Sequence, residues 1–480
     1  MKYQANIGLE VHVQLKTQSK MFCGCSTGFG ALPNTHVCPV CLGYPGAMPV
    51  MNQEGIFLTV LTGLMIGCRI NPRSKFDRKS YFYPDMPKNY QISQYDQPLC
   101  EGGEVQMEVG GKKKVIRITR IHLEEDVGKN MHFARSSGVD FNRAGVPLME
   151  IVTEPDLSSP EEAQAFLLVL KQIVRYVGTS DCNLEQGNLR CDVNCSVRPE
   201  GQERLGTKTE LKNLNTFKGV FGAMKYEIAR QIGVLESGGT IVQETRRWDS
   251  EAGVTSSMRS KEDAHDYRYF PEPDLMPVVV SEATLAEWRS RLPELPRIRR
   301  ERLSREFGIP DYDSEVLAAD KSVGEFFEAA ARLSSNPKAV SNWMMTEMLG
   351  MLAAKELEIG AAKVTPRALA DLVGLVDSRA INMPTAKEVF AELFEKGGDP
   401  AAVVKDKGLA QVSDSGALEN LAAQAIAGNP QVVADYRAGK KAAAKFLVGQ
   451  VMRLSQGKAN PQMVSSIIER MLGDDKPSPA

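Results

Sequence analysis

The chain has 480 residues, 42% apolar and 25% charged, which is the make-up of an ordinary globular protein with length for about three domains. A formal net charge of −2 excludes a globally cationic nucleic-acid binder, so any polyanion-binding surface has to be local. The most apolar run, Gly55–Gly67, is too short for a membrane span and contains Thr59 and Thr62, so it is expected as a core helix.

The start, Met1-Lys2-Tyr3-Gln4, has no signal- or transit-peptide pattern, so a cytoplasmic location is expected. In that compartment the nine cysteines point to metal binding or buried thiols, not to disulfides.

Strict alternation in Ile7–Leu15 predicts a strand with Ile7, Leu9, Val11, Val13 and Leu15 on a core. Glu10 and His12 then share the opposite face, where a carboxylate and an imidazole can bind a cation or move a proton. For one strand alone, a solvated outer face is the default explanation of the pattern, and later segments that repeat it weigh against that. Next come Cys23-Gly-Cys25 and Cys38-Pro-Val-Cys41, two close thiol pairs across a short loop. Four thiolates in that spacing suit a tetrahedral, closed and therefore structural Zn2+ knuckle; buried unliganded cysteines are the alternative.

Lys75-Phe-Asp-Arg-Lys-Ser-Tyr-Phe-Tyr-Pro interleaves cations with aromatic rings, a composition for phosphate contact and stacking, or for a plain surface loop. A second charged strand is expected over Val115–Glu125, with Ile116 and Ile118 leading into His122 and Glu124 on one face. The Glu124-Glu125-Asp126 cluster requires a neutralising charge if it is buried, and a hard divalent cation is the natural candidate. Glu150 lies alone inside an apolar run.

Ser159-Pro160-Glu161-Glu162 predicts a helix start, with Gly178 as its stop. Leu189–Val197 and Thr207–Leu211 are expected as further strands. They put Arg190, Asp192 and Asn194, then Lys208, Glu210 and Lys212, on charged faces. Four such strands imply a charged floor above an apolar layer, suited to Mg2+–nucleotide phosphoryl transfer. Neither a Walker A run nor a Gly-x-Gly-x-x-Gly fingerprint occurs, so phosphates would be held by side chains on the sheet. A second Tyr/Pro-rich segment, Asp266–Pro277, precedes a change to helical periodicity near Leu285. Leu292-Pro-Glu-Leu-Pro296 reads as a linker, and Gly397-Gly-Asp-Pro400 as a break between two helical bundles. The last bundle is locally basic, with Lys440, Lys441, Lys445 and Lys458, which suits either a solvated surface or an RNA backbone.

Several long strings, in order, resemble one family. They include Ile-Gly-Leu-Glu10-Val-His12, Gln91-Ile-Ser-Gln-Tyr-Asp-Gln-Pro, His122-Leu-Glu-Glu-Asp, Leu189-Arg-Cys-Asp-Val-Asn, Glu210-Leu-Lys-Asn-Leu-Asn and Asp266-Tyr-Arg-Tyr-Phe-Pro-Glu-Pro-Asp. The family is the B subunit of the aspartyl/glutamyl-tRNA(Asn/Gln) amidotransferase, and the resemblance runs through Phe446-Leu-Val-Gly-Gln-Val-Met and Asn460-Pro-Gln.

The resemblance implies an α+β cradle at 1–290, with an antiparallel, glutamine-synthetase-like or guanidino-kinase-like sheet and the cysteine knuckle at 23–41. All-α domains at 291–404 and 405–480 follow, the last binding tRNA. It also implies ATP-dependent phosphorylation and amidation of mischarged Glu-tRNA(Gln) or Asp-tRNA(Asn) in a heterotrimer. An amidase-type A subunit supplies ammonia and a small C subunit joins the two. On this reading Glu10, His12, Glu124, Glu125 and Glu150 surround Mg2+ or the ammonia path. Lys79, Arg190, Lys208 and Glu210 attend ATP phosphates or carboxylate, with Asp192 close by. The rival readings are a stand-alone amidoligase acting on a small metabolite and a zinc-stapled RNA-binding scaffold without catalysis.

Overall fold

The alternating segment forms a twelve-residue strand, Tyr3–Gln14, inside a ten-stranded sheet. In the computed structural model, which describes residues 2–183, 186–258, 267–410, 415–455 and 459–473, the chain divides into two units, Met1–Pro296 and Arg297–Ala480.

In the first unit, Tyr3–Gln14 pairs antiparallel with Pro147–Thr153 on one side and Leu189–Pro199 on the other. Lys112–Glu125 extends the sheet beyond Pro147–Thr153, and Thr209–Lys212 extends it beyond Leu189–Pro199. Ile7, Leu9, Val11 and Val13 are at most 1% exposed, and burial of each stabilises by about 1.5–3 kcal/mol. Residues of the helices Gln53–Met65, Pro160–Val177 and Phe217–Glu236 complete this core. The first is the expected apolar helix. The second begins at the expected cap, where Ser159 Oγ accepts from the Glu162 N–H at 3.2 Å, and it ends at left-handed Gly178.

Two expectations need correction. The sheet is mixed, not purely antiparallel: Thr209–Lys212 and Thr245–Asp249 run parallel, because the helix Phe217–Glu236 carries the chain back to the same end. Ile116 and Ile118 do not share a face with His122 and Glu124. The pairing with Pro147–Thr153 steps from Val152↔Arg120 to Thr153↔Ile118, so Thr119 is the extra residue of a bulge. Ile116, Ile118, Ile121 and Leu123 are all buried in the apolar core, and the bulge turns His122 and Glu124 to the opposite side.

On the helix side of the sheet sits a wholly buried carboxylate, Glu227. Its oxygens accept from Arg230, Gln231, Thr209 and Thr255, and Arg246 Nε lies 3.3 Å away. Burial pushes its pKa up, but the hydrogen bonds from Arg230 and Gln231 outweigh that, and the net direction is below the ordinary 4.5. A depressed folded-state pKa contributes stability above the unfolded value that is lost as pH falls through the folded one. Glu227→Gln is therefore expected to cost about 3 kcal/mol at pH 7, because Arg230 and Arg246 keep only Glu244 as a charge partner while Glu227 is wholly buried. In denaturant titrations the gap between wild type and variant is expected to shrink as the pH drops below 4.5.

The second unit is helical throughout its described regular structure and has two separate apolar cores, one spanning Leu303–Val404 and one spanning Leu418–Leu472. Thr365-Pro366 starts the helix Pro366–Asp377, and Asn460-Pro461 starts Pro461–Gly473. No helix among the described residues is long and apolar enough to cross a membrane.

Candidate active site on the polar face of the sheet

The register that buries the aliphatic side chains also assembles the polar ones. His122, Glu150, His12 and Arg190 lie opposite one another in a row across four strands. His12 Nε2 stands 3.1 Å from Glu150 Oε2 and 3.9 Å from Glu124 Oε1. His122 Nε2 lies 3.5 Å from both Glu124 Oε2 and Glu150 Oε2. Glu124 also accepts from Ser93 Oγ at 3.0 Å.

Charge sharing sets the protonation of this cluster. Burial opposes the Glu150 charge, but His122 and His12 overcome it and hold the carboxyl well below the usual range. Glu124 is lowered in the same way, chiefly by His122 and Lys79. Burial disfavours the His122 cation, yet the two glutamates raise its pKa to about 9, and His12 is raised by Glu150.

One ligand atom from each of His12, Glu124 and Glu150 lies within 4.8 Å of the other two. An imidazole and two carboxylates fit Mg2+ or Mn2+, and three protein ligands leave positions for water and phosphate oxygens. Glu10, one step along the strand, accepts from Asn194 Nδ2 at 2.8 Å, and burial and Glu150 raise its pKa.

Cations ring the cluster. Arg190 Nη2 pairs with Asp126 Oδ1 at 2.8 Å. Lys212 Nζ bridges Asp192 Oδ2 at 2.9 Å and Glu210 Oε1 at 3.0 Å. Lys79 reaches in from the small sheet Asp77–Ser80, Tyr90–Ser93 and Phe270–Pro271, with Nζ 4.9 Å from the Tyr267 ring centroid. Burial lowers the Lys79 pKa, but Glu124 and Glu150 reverse that and the net direction is up.

The two Tyr/Pro-rich segments thus pair with each other: Phe270 faces Arg78, whose guanidinium forks onto Glu272 at 2.7 and 2.8 Å. Asp266, in the second of them, lies outside the described residues. The Gln91-Ile-Ser-Gln string explains how the small sheet is held. Gln91 donates to the Glu125 carbonyl at 2.6 Å, and Gln94 Oε1 accepts from the Leu123 N–H at 3.1 Å.

Two expected site residues depart from this picture, and a third lies outside the described residues. Glu125 follows Glu124 on a strand and so faces the other way; its carboxylate takes the Lys88 ammonium and the Ile92 N–H, at 2.9 Å for the latter. Lys208 precedes the strand and is exposed, so Lys212 is the lysine beside Glu210. Lys458 lies outside the described residues, whereas Lys440, Lys441 and Lys445 are exposed on the last bundle. His122, Asp126 and Lys212 lie beside these residues, and alternation with Glu124 (for His122 and Asp126) and with Glu210 (for Lys212) is the signal for them.

The knuckle stands on the other side of Glu125. Sulfurs of Cys23, Cys25, Cys38 and Cys41 lie within 4.8 Å of one another, and the Cys38–Cys41 pair is 3.9 Å apart. A tetrahedron with Zn–S of about 2.3 Å has sulfurs roughly 3.8 Å apart, so the quartet fits Zn2+. Sharing a proton with Cys23 pulls Cys41 down to about 4 while Cys23 rises.

A mixed sheet that carries a His–Glu–Glu cluster ringed by lysine and arginine is followed in the chain by helices. A family model described as the GatB/GatE catalytic domain matches residues 5–286, and one described as the GatB domain matches residues 325–472. The chain belongs to the GatB family. It is 53% identical to the B subunit of the aspartyl/glutamyl-tRNA(Asn/Gln) amidotransferase of Caldicellulosiruptor bescii, over 98% of this chain and 99% of that one. It is 53% identical to the protein of the same name from Thermodesulfovibrio yellowstonii, over 98% and 100%. For Brevibacillus brevis the figures are 50%, over 98% and 99%.

Proposed function

We propose that this chain is the phosphorylating and amidating subunit that converts Glu-tRNA(Gln), Asp-tRNA(Asn) or both to the amidated forms. The observation that carries the proposal is the His12–Glu124–Glu150 cluster, in a chain similar along nearly its whole length to proteins of that name. In the reaction, an oxygen of the side-chain carboxylate attacks the γ-phosphorus of ATP, the bond to the β,γ-bridging oxygen breaks and ADP leaves. Ammonia then attacks the activated carbonyl carbon and phosphate departs, taking that oxygen with it. A bound Mg2+ supplies charge neutralisation on the phosphates.

The chain's own residues then have separable duties. His12, Glu124 and Glu150 hold the cation. Lys79, Arg190 and Lys212 neutralise phosphate and acyl-acceptor charge. Glu210 and Asp192 orient Lys212. Glu10, with its raised pKa, accepts a proton as the amide nitrogen forms. Tyr267, whose ring centroid lies 4.9 Å from Lys79 Nζ, limits the water to which an acyl phosphate is vulnerable.

On this reading the first unit is a cradle of the glutamine-synthetase or guanidino-kinase type, and residues 405–480 grip tRNA through Lys440, Lys441 and Lys445. Ammonia reaches the cytoplasmic heterotrimer's cradle from an amidase-type A subunit held by a small C subunit, and Zn2+ staples the knuckle.

The test is amidation of Glu-tRNA(Gln) by the purified chain, with and without its partners. Conversion is expected with ATP and ammonium salt, and with glutamine only when the amidase-type partner is present. Absence of ATP turnover favours a zinc-stapled scaffold. Amidation of a free metabolite without tRNA favours a stand-alone ligase.

A further inference from the structure

Lys20 is wholly buried, one residue before the Met21 that packs in the main core. Its Nζ donates to Cys41 Sγ at 3.6 Å and to the Phe141 carbonyl at 3.1 Å. An ammonium removed from water is costly unless an anion compensates it. The Phe141 carbonyl is neutral, so among these two contacts the compensating group is the sulfur of Cys41. The Cys38 N–H donates to the same sulfur at 3.2 Å.

A divalent ion bound by four thiolates carries a net charge of about 2− in its first shell, and donors outside that shell offset the excess. Lys20 is placed to remove half of it. The surroundings leave Lys20 little alternative. A Cβ on left-handed Gly145 would stand 3.3 Å from Lys20 Cδ, 3.5 Å from Cys41 Cβ and 3.7 Å from Glu125 Oε2. The Met21 N–H, next along the chain, donates to the Gly145 carbonyl at 2.7 Å. Lys20, Cys41, Lys88 and Glu125 also line one cavity of about 70 Å³. Its two buried cations therefore have assigned anions: Lys88 takes Glu125 and Lys20 takes Cys41.

We propose that Lys20 is the counter-cation of the Cys23–Cys25–Cys38–Cys41 metal centre and sets how tightly this chain holds its metal. It is a positioning residue for the metal and takes no part in the amidation chemistry.

The experiment loads the full-length chain with cobalt(II) and follows the thiolate-to-metal charge-transfer absorption against a competing chelator. Lys20→Met keeps the length of the side chain without its charge, and is expected to weaken cobalt binding about 10- to 100-fold. Lys20→Arg keeps the charge and is expected to stay within about threefold of wild type. Wild-type affinity in Lys20→Met, or an equal loss in Lys20→Arg, overturns the proposal. Should Lys20→Met not fold, amine acylation of the unaltered chain decides, read by mass spectrometry. Lys20 is expected to resist the reagent with Zn2+ bound and to react once the metal is removed; equal resistance in both states overturns the proposal.

Discussion

Glu150→Gln is expected to reduce ATP-dependent amidation by about a thousandfold while leaving the first unit folded. The substitution keeps the shape of the side chain, so the register of Pro147–Thr153 between its neighbours is not disturbed. What it removes is the negative charge that both His12 and His122 approach, at 3.1 and 3.5 Å. Charge stabilisation by a divalent ion is worth about 4 kcal/mol, and each 1.36 kcal/mol is a factor of ten. Electron paramagnetic resonance of bound Mn2+ separates this cause from a general loss of structure. Glu150→Gln and Glu124→Gln are expected to release Mn2+. Glu125→Gln is expected to retain it, because its carboxylate belongs to the opposite face with Lys88. Mn2+ retention in Glu150→Gln would remove that residue from the metal site.

The second large effect concerns the knuckle. Structural Zn2+ contributes of the order of 10 kcal/mol through four thiolates, so one ligand carries about 3 kcal/mol, or about a hundredfold in affinity. Cys38→Ser is accordingly expected to lose Zn2+ to a chelator that leaves the wild type loaded. Limited proteolysis is expected to cut between residues 26 and 37 in the variant and in chelated wild type, but not in the loaded protein. An uncut, zinc-free Cys38→Ser chain would show that the loop is held by its hydrogen bonds alone. Those bonds are real: Asn34 ties the loop to Val139, Asp140 and Phe141, and Asn142 donates to the loop's Leu32 carbonyl.

Much of this was legible because one physical rule did double duty. Period-two alternation from Ile7 to Leu15 identified the core face and, by elimination, the face of Glu10 and His12. The same rule failed at Val115–Glu125 because the phase of the aliphatic residues shifts between Ile118 and Ile121, and only pairing with a partner strand shows that shift to be a bulge. Glu125 stands apart from Glu124 for a related reason. Three consecutive acids suggest one site, whereas adjacent residues on a strand serve opposite faces. Lys208 falls outside the strand because pairing starts at Thr209 and not at the expected Thr207. The parallel pair at Thr209–Lys212 and Thr245–Asp249 was not legible, since nothing local distinguishes it from an antiparallel one.

The position of Tyr3–Gln14 has a consequence for synthesis. It is made well before its two neighbours, Pro147–Thr153 and Leu189–Pro199. At roughly 5–20 residues per second, a ribosome needs about 10 to 40 s before both are available. For that interval a nascent chain carries an apolar ribbon with both edges open, a template for wrong partners. His12 acquires Glu124 and Glu150 from strands made more than a hundred residues later, and Arg190 later still.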